Sequence, residues 1–244
     1  MPRLKGIDTV RGMVLVSMLL YHFCWDLVYL HGVDFPWYES SAAYVWQQSI
    51  CWVFILLSGF CWSMGKHPLK RGIIVFLAGA VISLVTLLFL PEERVIFGVL
   101  TFLGCSMLIT IPLERLLKKI PPIAGLLGSV VLFVLLRNIN TGFLGFGDWN
   151  ICKLPTRLYH GYFMTFLGFP ENSFFSTDYV SLFPWYFLFL TGYYTYCMLS
   201  KGLWLTKLFE NGIPPFTFLG RHSLLIYMLH QPIMYGILWV CFSL

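Results

Sequence analysis

Seven apolar runs punctuate this chain, each long enough, or close to long enough, to cross the ~30 Å hydrocarbon core of a bilayer as a helix. They cover residues 13–30, 44–64, 72–90, 95–111, 120–136, 180–199 and 224–244. Lipid supplies no hydrogen bonds to free backbone, so each lipid-facing run must be helical. The fifth is short and opens on Pro121-Pro122, which a helix start tolerates because its first N–H groups lack partners anyway. Charged residues make up 11% of the 244, against about 25% in an ordinary globular protein. So few charges could not cover a soluble surface. The expected fold is all-α: a polytopic integral membrane bundle of about seven transmembrane helices, forming one domain over 1–244.

The net charge of +5 points to basic cytoplasmic loops rather than to nucleic acid. The connections on the N-terminal side carry Arg3, Lys5, Arg11, Lys66, Lys70, Arg71, Arg115, Lys118, Lys119, Lys201, Lys207 and Arg221. Those on the other side carry Arg94, Arg137, Lys153 and Arg157. This bias puts the N-terminus inside and the C-terminus outside. The first run is too long for a signal-peptide core and lacks a small-x-small cleavage site, so it reads as a signal anchor retained as helix one. Seven cysteines without a CxxC pair read as small apolar packing residues, neither a disulfide framework nor a metal set.

The longest connection, 138–179, lies on the outward side and is rich in aromatics and glycine, including Trp149, Tyr159, Tyr162, Phe163 and Phe166. Within it, 157–169 reads as an interfacial or re-entrant helix. An ordered aromatic loop suits a lid or acceptor site; a chemically inert plug at the membrane surface is the alternative.

Ionisable side chains inside a span are costly and are functional candidates by default. The first span holds His22 and Asp26, whose i, i+4 spacing places imidazole and carboxylate on one face. A carboxylate on one ring nitrogen fixes the tautomer and raises the basicity of the other, as a general base requires. The bland alternative is a polar pair holding helices together. Arg11 lies about 16 Å before His22 along a helix and can pair with Asp8 at i, i+3. The last span opens on Gly220-Arg221-His222-Ser223, a plausible phosphate site at a helix start, and then carries Tyr227, His230 and Gln231. Pro232, two residues after His230, frees local carbonyls that the ring can use.

Those residues carry a family likeness. Arg3-Leu4-x-x-Ile7-Asp8-x-x-Arg11-Gly12 with Met18-x-x-Tyr21-His22-x-x-x-Asp26 resembles the opening of the heparan-α-glucosaminide N-acetyltransferase catalytic-domain family. The spacing of Arg11 and His22 is similar to that in the wider transmembrane acyltransferase superfamily, acyltransferase-3 proteins included. Phe54-Ile55-Leu56-Leu57-Ser58-Gly59 resembles the second-helix signature, and Asp178-Tyr179 with Phe183-Pro184-Trp185 and Gly192 the sixth. Leu219-Gly220-Arg221-His222-Ser223-Leu224-x-Ile226-Tyr227-x-x-His230-Gln231-Pro232 resembles the last.

The resemblance implies transfer of an acetyl (acyl) group from cytosolic acetyl-CoA, without a metal, to a cell-envelope glycan or another hydroxyl or amine acceptor. In the heparan-acetylating branch an asparagine matches His22, and the proposed catalytic histidine lies at the outer end of this helix. His31 is its nearest counterpart here. The expected site is therefore His22, Asp26 and His31 for catalysis, with His22, His31 or both as base. Arg11, Arg221 and His222 would hold the donor, and Tyr227 and His230 would line the substrate channel. The expected partners are a small acyl donor, a glycan-like acceptor and the lipid bilayer of a bacterial cytoplasmic membrane, with no nucleic acid; an oligomer is compatible. Two other classes stay open: a haem-binding electron-transfer protein ligated by His22 and His230, and a transporter relaying protons through His22 and Asp26.

Overall fold

The structure, a computed structural model, describes residues 4–200 and 209–243. Arg3, Lys201, Lys207 and Leu244, which entered the charge count and the last span, lie outside the described residues. The chain is predominantly helical, with six helical segments long and apolar enough to cross a membrane among the described residues. These are α1 (Lys5–Trp25) continued by a π-helical turn (Asp26–Leu30), α2 (Ser41–Trp62), α3 (Pro68–Phe89), α4 (Val99–Leu117), α5 (Pro122–Leu135) with the short 3-10 turn after it, and the final helix (Ser223–Ser243). It is a multi-pass membrane bundle, as expected. Prolines at the first turns of α3 and α5 are pre-set for helix and forfeit no hydrogen bond there.

The expected span at 180–199 takes a different form. Its helix, α7 (Trp185–Leu199), has 15 residues, about 22 Å by helical rise. Pro184 disfavours the helical conformation for the residue before it, and 180–183 stay outside the helix as irregular backbone ending in a turn. Their polar backbone is satisfied by protein: the Val180 N–H donates to the Phe97 carbonyl at 2.9 Å, Leu182 to Phe166 at 2.7 Å and Phe183 to Leu167 at 3.0 Å. Non-helical backbone at membrane depth is tolerated only under such cover.

The chain divides into two compact units, 1–57 with 200–244 and 58–199, the boundary falling within α2. In the first unit, α1 crosses the short helix α8 (Pro214–Arg221) at backbone contact. A Cβ on Gly12 would stand 2.0 Å from the Phe216 carbonyl oxygen, and one on Gly220 would stand 1.9 Å from that of Asp8. The Thr9 and Thr217 hydroxyls meet in the crossing at 2.8 Å. One residue, His222, separates α8 from α9 (Ser223–Ser243). Leu15, Met18 and Ile50 form the apolar core, flanked by Tyr21, Trp46, Phe54 and Tyr227.

The second unit pairs α3 with α4 and α5 with α7. Gly79 and Gly104 admit the backbones of Thr101 and Phe76, and Gly125 admits the Tyr194 ring. The loop 138–179 folds as a compact piece. It holds a hairpin, β1 (Phe143–Phe146) and β2 (Trp149–Lys153), then a 3-10 turn (Thr156–Leu158) and the six-residue helix α6 (Tyr162–Leu167). The continuous helix expected over 157–169 is thus broken in two. Gly161, at φ +81°, occupies the break, in a region that favours glycine. The loop is tied internally: the Tyr159 hydroxyl donates to the Ile139 carbonyl at 2.6 Å, and that of Tyr179 donates to the Thr165 carbonyl. Burial raises the pKa of both phenols, Tyr179 far enough to stay protonated at any physiological pH.

Candidate functional site

The first unit gathers the candidate residues along α1 in three tiers. At the N-terminal tier, the expected Asp8–Arg11 pair forms, with Nη1 of Arg11 3.4 Å from Oδ1. The other carboxylate oxygen faces Arg221, whose Nε lies 3.7 Å from Oδ2. One buried carboxylate therefore addresses two guanidinium groups that are 210 positions apart in sequence. The glycine crossing explains how: with no side chain at Gly12 or Gly220, α8 approaches closely enough for Arg221, its last residue, to reach Asp8. Both guanidinium groups thus face the Asp8 carboxylate. Arg221 is about two-fifths exposed, so this tier presents guanidinium N–H groups outward, where a phosphate can take them in bidentate fashion. His222 sits beyond it, exposed, with its ring against Phe218 at 4.7 Å between centroids.

The middle tier brings α1 and α9 together. The Gln231 side-chain amide lies 3.3 Å from Nδ1 of His22, and the ring of buried His230 stands 4.9 Å, centroid to centroid, from that of His22. Nδ1 of His230 donates to the Tyr227 carbonyl at 2.5 Å. A carbonyl can only accept, so in neutral His230 the proton is at Nδ1 and the lone pair at Nε2. Pro232 orphans the Met228 carbonyl, yet the ring takes its acceptor from the residue before. The rings of Tyr227 and His230 also touch, at 5.3 Å. Side-chain amides show their nitrogen and oxygen ends alike, so Gln231 fits two tautomers of His22. With its NH₂ toward the ring, His22 keeps its hydrogen on Nε2. Turned over, its oxygen accepts from Nδ1–H and frees the Nε2 lone pair, the arrangement a general base needs.

The third tier is the π turn. His31 closes it by donating its backbone N–H to the Asp26 carbonyl at 3.2 Å, five residues back. Asp26, at the start of the turn, is fully buried. The His31 ring stacks on Phe242 of α9 at 4.3 Å and 20°, and its buried Nε2 makes no hydrogen bond. Single π turns inside α-helices occur often at functional positions. Beside the turn, Tyr21 packs edge to face on Trp46 and tilted against Tyr38, and the Trp46 indole donates to the Ser17 hydroxyl at 2.7 Å. Burial, then the Tyr21 contact, raises the pKa of the Tyr38 phenol, which stays protonated.

Sequence reading missed three features: the second arm of Asp8, Gln231 as the partner of His22, and the aromatic wall. The adjacency of His230 and Gln231 gave a faint signal for the second; long-range pairing by Asp8 gave none. The two histidines posited as haem ligands have rings in contact, which leaves no room for a macrocycle between them. Among the described residues no group of three or more His, Cys, Asp or Glu converges as a metal site.

A family profile described as heparan-alpha-glucosaminide N-acetyltransferase, catalytic, matches residues 3–232. No curated protein and no solved structure matches the chain.

Proposed function

Because the chain belongs to the heparan-α-glucosaminide N-acetyltransferase catalytic family, over residues 3–232, we propose that it moves an acetyl group from cytosolic acetyl-CoA to a hydroxyl or amine of a cell-envelope glycan. The observation that carries this reading is the placement of two charge sites on one helix. Arg11 and Arg221 gather at the Asp8 carboxylate, and His22, its ring against that of His230, lies eleven residues beyond Arg11 on α1, about 16 Å away by helical rise. CoA is too anionic to enter hydrocarbon, so its phosphates stay at the cytoplasmic end on Arg11, Arg221 and His222. The pantetheine arm then reaches toward His22.

In the transfer step, Nε2 of His22 takes the proton from the acceptor O–H or N–H. The acceptor atom attacks the thioester carbonyl, the C–S bond breaks, and the thiolate leaves to be protonated as CoA. Gln231 holds the tautomer of His22, Asp26 orients the His22 imidazole from one turn along the helix, and Tyr227 with His230 lines the path of the acyl group. The whole of 1–244 acts as one transmembrane acyltransferase domain, with its N-terminus in the cytoplasm of a bacterial cell.

A positioned general base contributes roughly 10²–10⁴-fold in rate. His22→Ala is expected to lose that much acetyl transfer, measured with radiolabelled acetyl-CoA in vesicles, while the protein stays folded in the membrane. Full activity in His22→Ala, with none in His31→Ala, would move the base to the π turn. Mass spectrometry of envelope glycans with and without the gene names the acceptor through the mass of the group it gains.

A further inference from the structure

The second unit holds a cavity of about 260 Å³ that the transfer reaction does not use, lined by Leu87, Arg94, Ile96, Tyr162, Ser173, Phe174 and Phe175. Arg94 is its one charged lining group. Nε of Arg94 donates to the Phe175 carbonyl at 3.3 Å, Nη1 reaches the Pro91 carbonyl at 3.5 Å, and the guanidinium lies 5.4 Å over the Phe175 ring. These partners are all neutral, and no carboxylate pairs with Arg94 among the described residues; the adjacent Glu92 and Glu93 do not line the cavity. A half-buried guanidinium with only neutral partners carries an unbalanced charge, and its planar fork matches a phosphate.

The depth of the cavity identifies the source of that phosphate. The end of α3 and the residue after it, Leu87 to Leu90, are apolar and 43–74% exposed, as side chains facing hydrocarbon are. Only the 3-10 turn Pro91–Glu93 separates them from Arg94. The cavity therefore opens where acyl chains end and headgroups begin. Tyr162 and Phe175 on its rim, with Trp149 and Phe163 elsewhere in the same loop, are strongly exposed aromatics of the kind that settle at that boundary. Headgroup phosphates line both faces of a bilayer, so either orientation of the protein brings the cavity to them.

We propose that this cavity binds the headgroup phosphate of an anionic phospholipid, with Arg94 on the phosphate, Ser173 beside it and the acyl chains descending past Leu87 and Ile96. At about 260 Å³ it accommodates a headgroup and falls just short of the ~300–1,000 Å³ of ordinary ligand pockets.

Native mass spectrometry of the delipidated full chain tests this with phosphatidylglycerol, phosphatidylcholine and glycerol 3-phosphate as probes. The wild type is expected to retain phosphatidylglycerol at least about tenfold better than Arg94→Gln, the loss of one charge-assisted hydrogen bond. It should also favour phosphatidylglycerol over phosphatidylcholine, and glycerol 3-phosphate should not displace the lipid. Ser173→Trp, which fills the cavity and leaves the guanidinium in place, should lose the lipid too, and it carries the test if Arg94→Gln does not fold. Equal phosphatidylglycerol retention by wild type and either variant overturns the proposal. Efficient displacement by glycerol 3-phosphate overturns the lipid source in favour of a soluble phosphate.

Discussion

Two helix crossings in this protein solve the same packing problem with different cargo. At α1–α8, Gly12 and Gly220 bring backbones together; at α3–α4, Gly79 and Gly104 do so against Thr101 and Phe76. Both follow the rule that helices in lipid associate through small residues, because hydrocarbon offers no hydrophobic gain from pairing apolar faces. At the α3–α4 crossing the Thr101 hydroxyl lies against Gly79, Met107 and Leu108 flank Gly72, no charged group meets these glycines, and α3 turns a broad apolar surface outward. The α1–α8 crossing carries a hydroxyl pair, a buried carboxylate and two guanidinium groups. Close approach is thus common to scaffold and site. The charges placed beside it mark the site.

The most severe change inserts side chains into both crossings. Gly12→Val and Gly104→Val should each cost more than the ~1–3 kcal/mol usual for overpacking, because their Cβ atoms would meet backbone at 2.0 and 2.5 Å. Both should cut the yield of monodisperse protein in size-exclusion chromatography. The folded remainder separates them: donor affinity should be lost with Gly12→Val and normal with Gly104→Val. Equal donor affinity in the two would erase the distinction between site and scaffold.

A milder change tests the charges alone. Arg221→Ala leaves the glycine crossing intact and should weaken CoA binding by about 1.5–3 kcal/mol in calorimetry, with a smaller effect on the acceptor KM. Unchanged affinity in both Arg221→Ala and Arg11→Ala would send the donor elsewhere. The smallest expected effect belongs to Gln231→Leu, which touches neither crossing. Losing its hydrogen bond to His22 should lower kcat by about 0.5–1.5 kcal/mol, up to roughly tenfold, with KM for the donor unchanged. A change confined to KM would make Gln231 a lining residue instead.

Much of this was legible beforehand, for reasons that differ by element. The spans were readable because bilayer thickness imposes a length on any apolar run, and Asp8–Arg11 was readable because helical spacing makes i, i+3 neighbours. The reach of Asp8 to Arg221 and of Gln231 to His22 was not, since both are tertiary contacts that arise only once glycine lets helices close. The hairpin at 143–153 had a local signal that went unread: Gly147-Asp148 between Phe146 and Trp149 is a two-residue hairpin turn. The break in the helix expected at 157–169 follows from Gly161, whose positive φ no periodicity count reveals.

The π turn at Asp26–Leu30 has a consequence for the evolution of chain length. A π turn holds one residue more than the helix around it, so the winding there is free to change by one. Deleting a residue within it would restore regular α-helical hydrogen bonding, and the span would still fold. The segments on either side would keep their place around the helix axis, because the extra residue is taken up inside the turn. His22, before the turn, would keep Gln231 and His230, and His31, after it, would still reach Phe242. The turn thus works as slack in the span: it takes up one residue of length while the histidines on either side hold their neighbours.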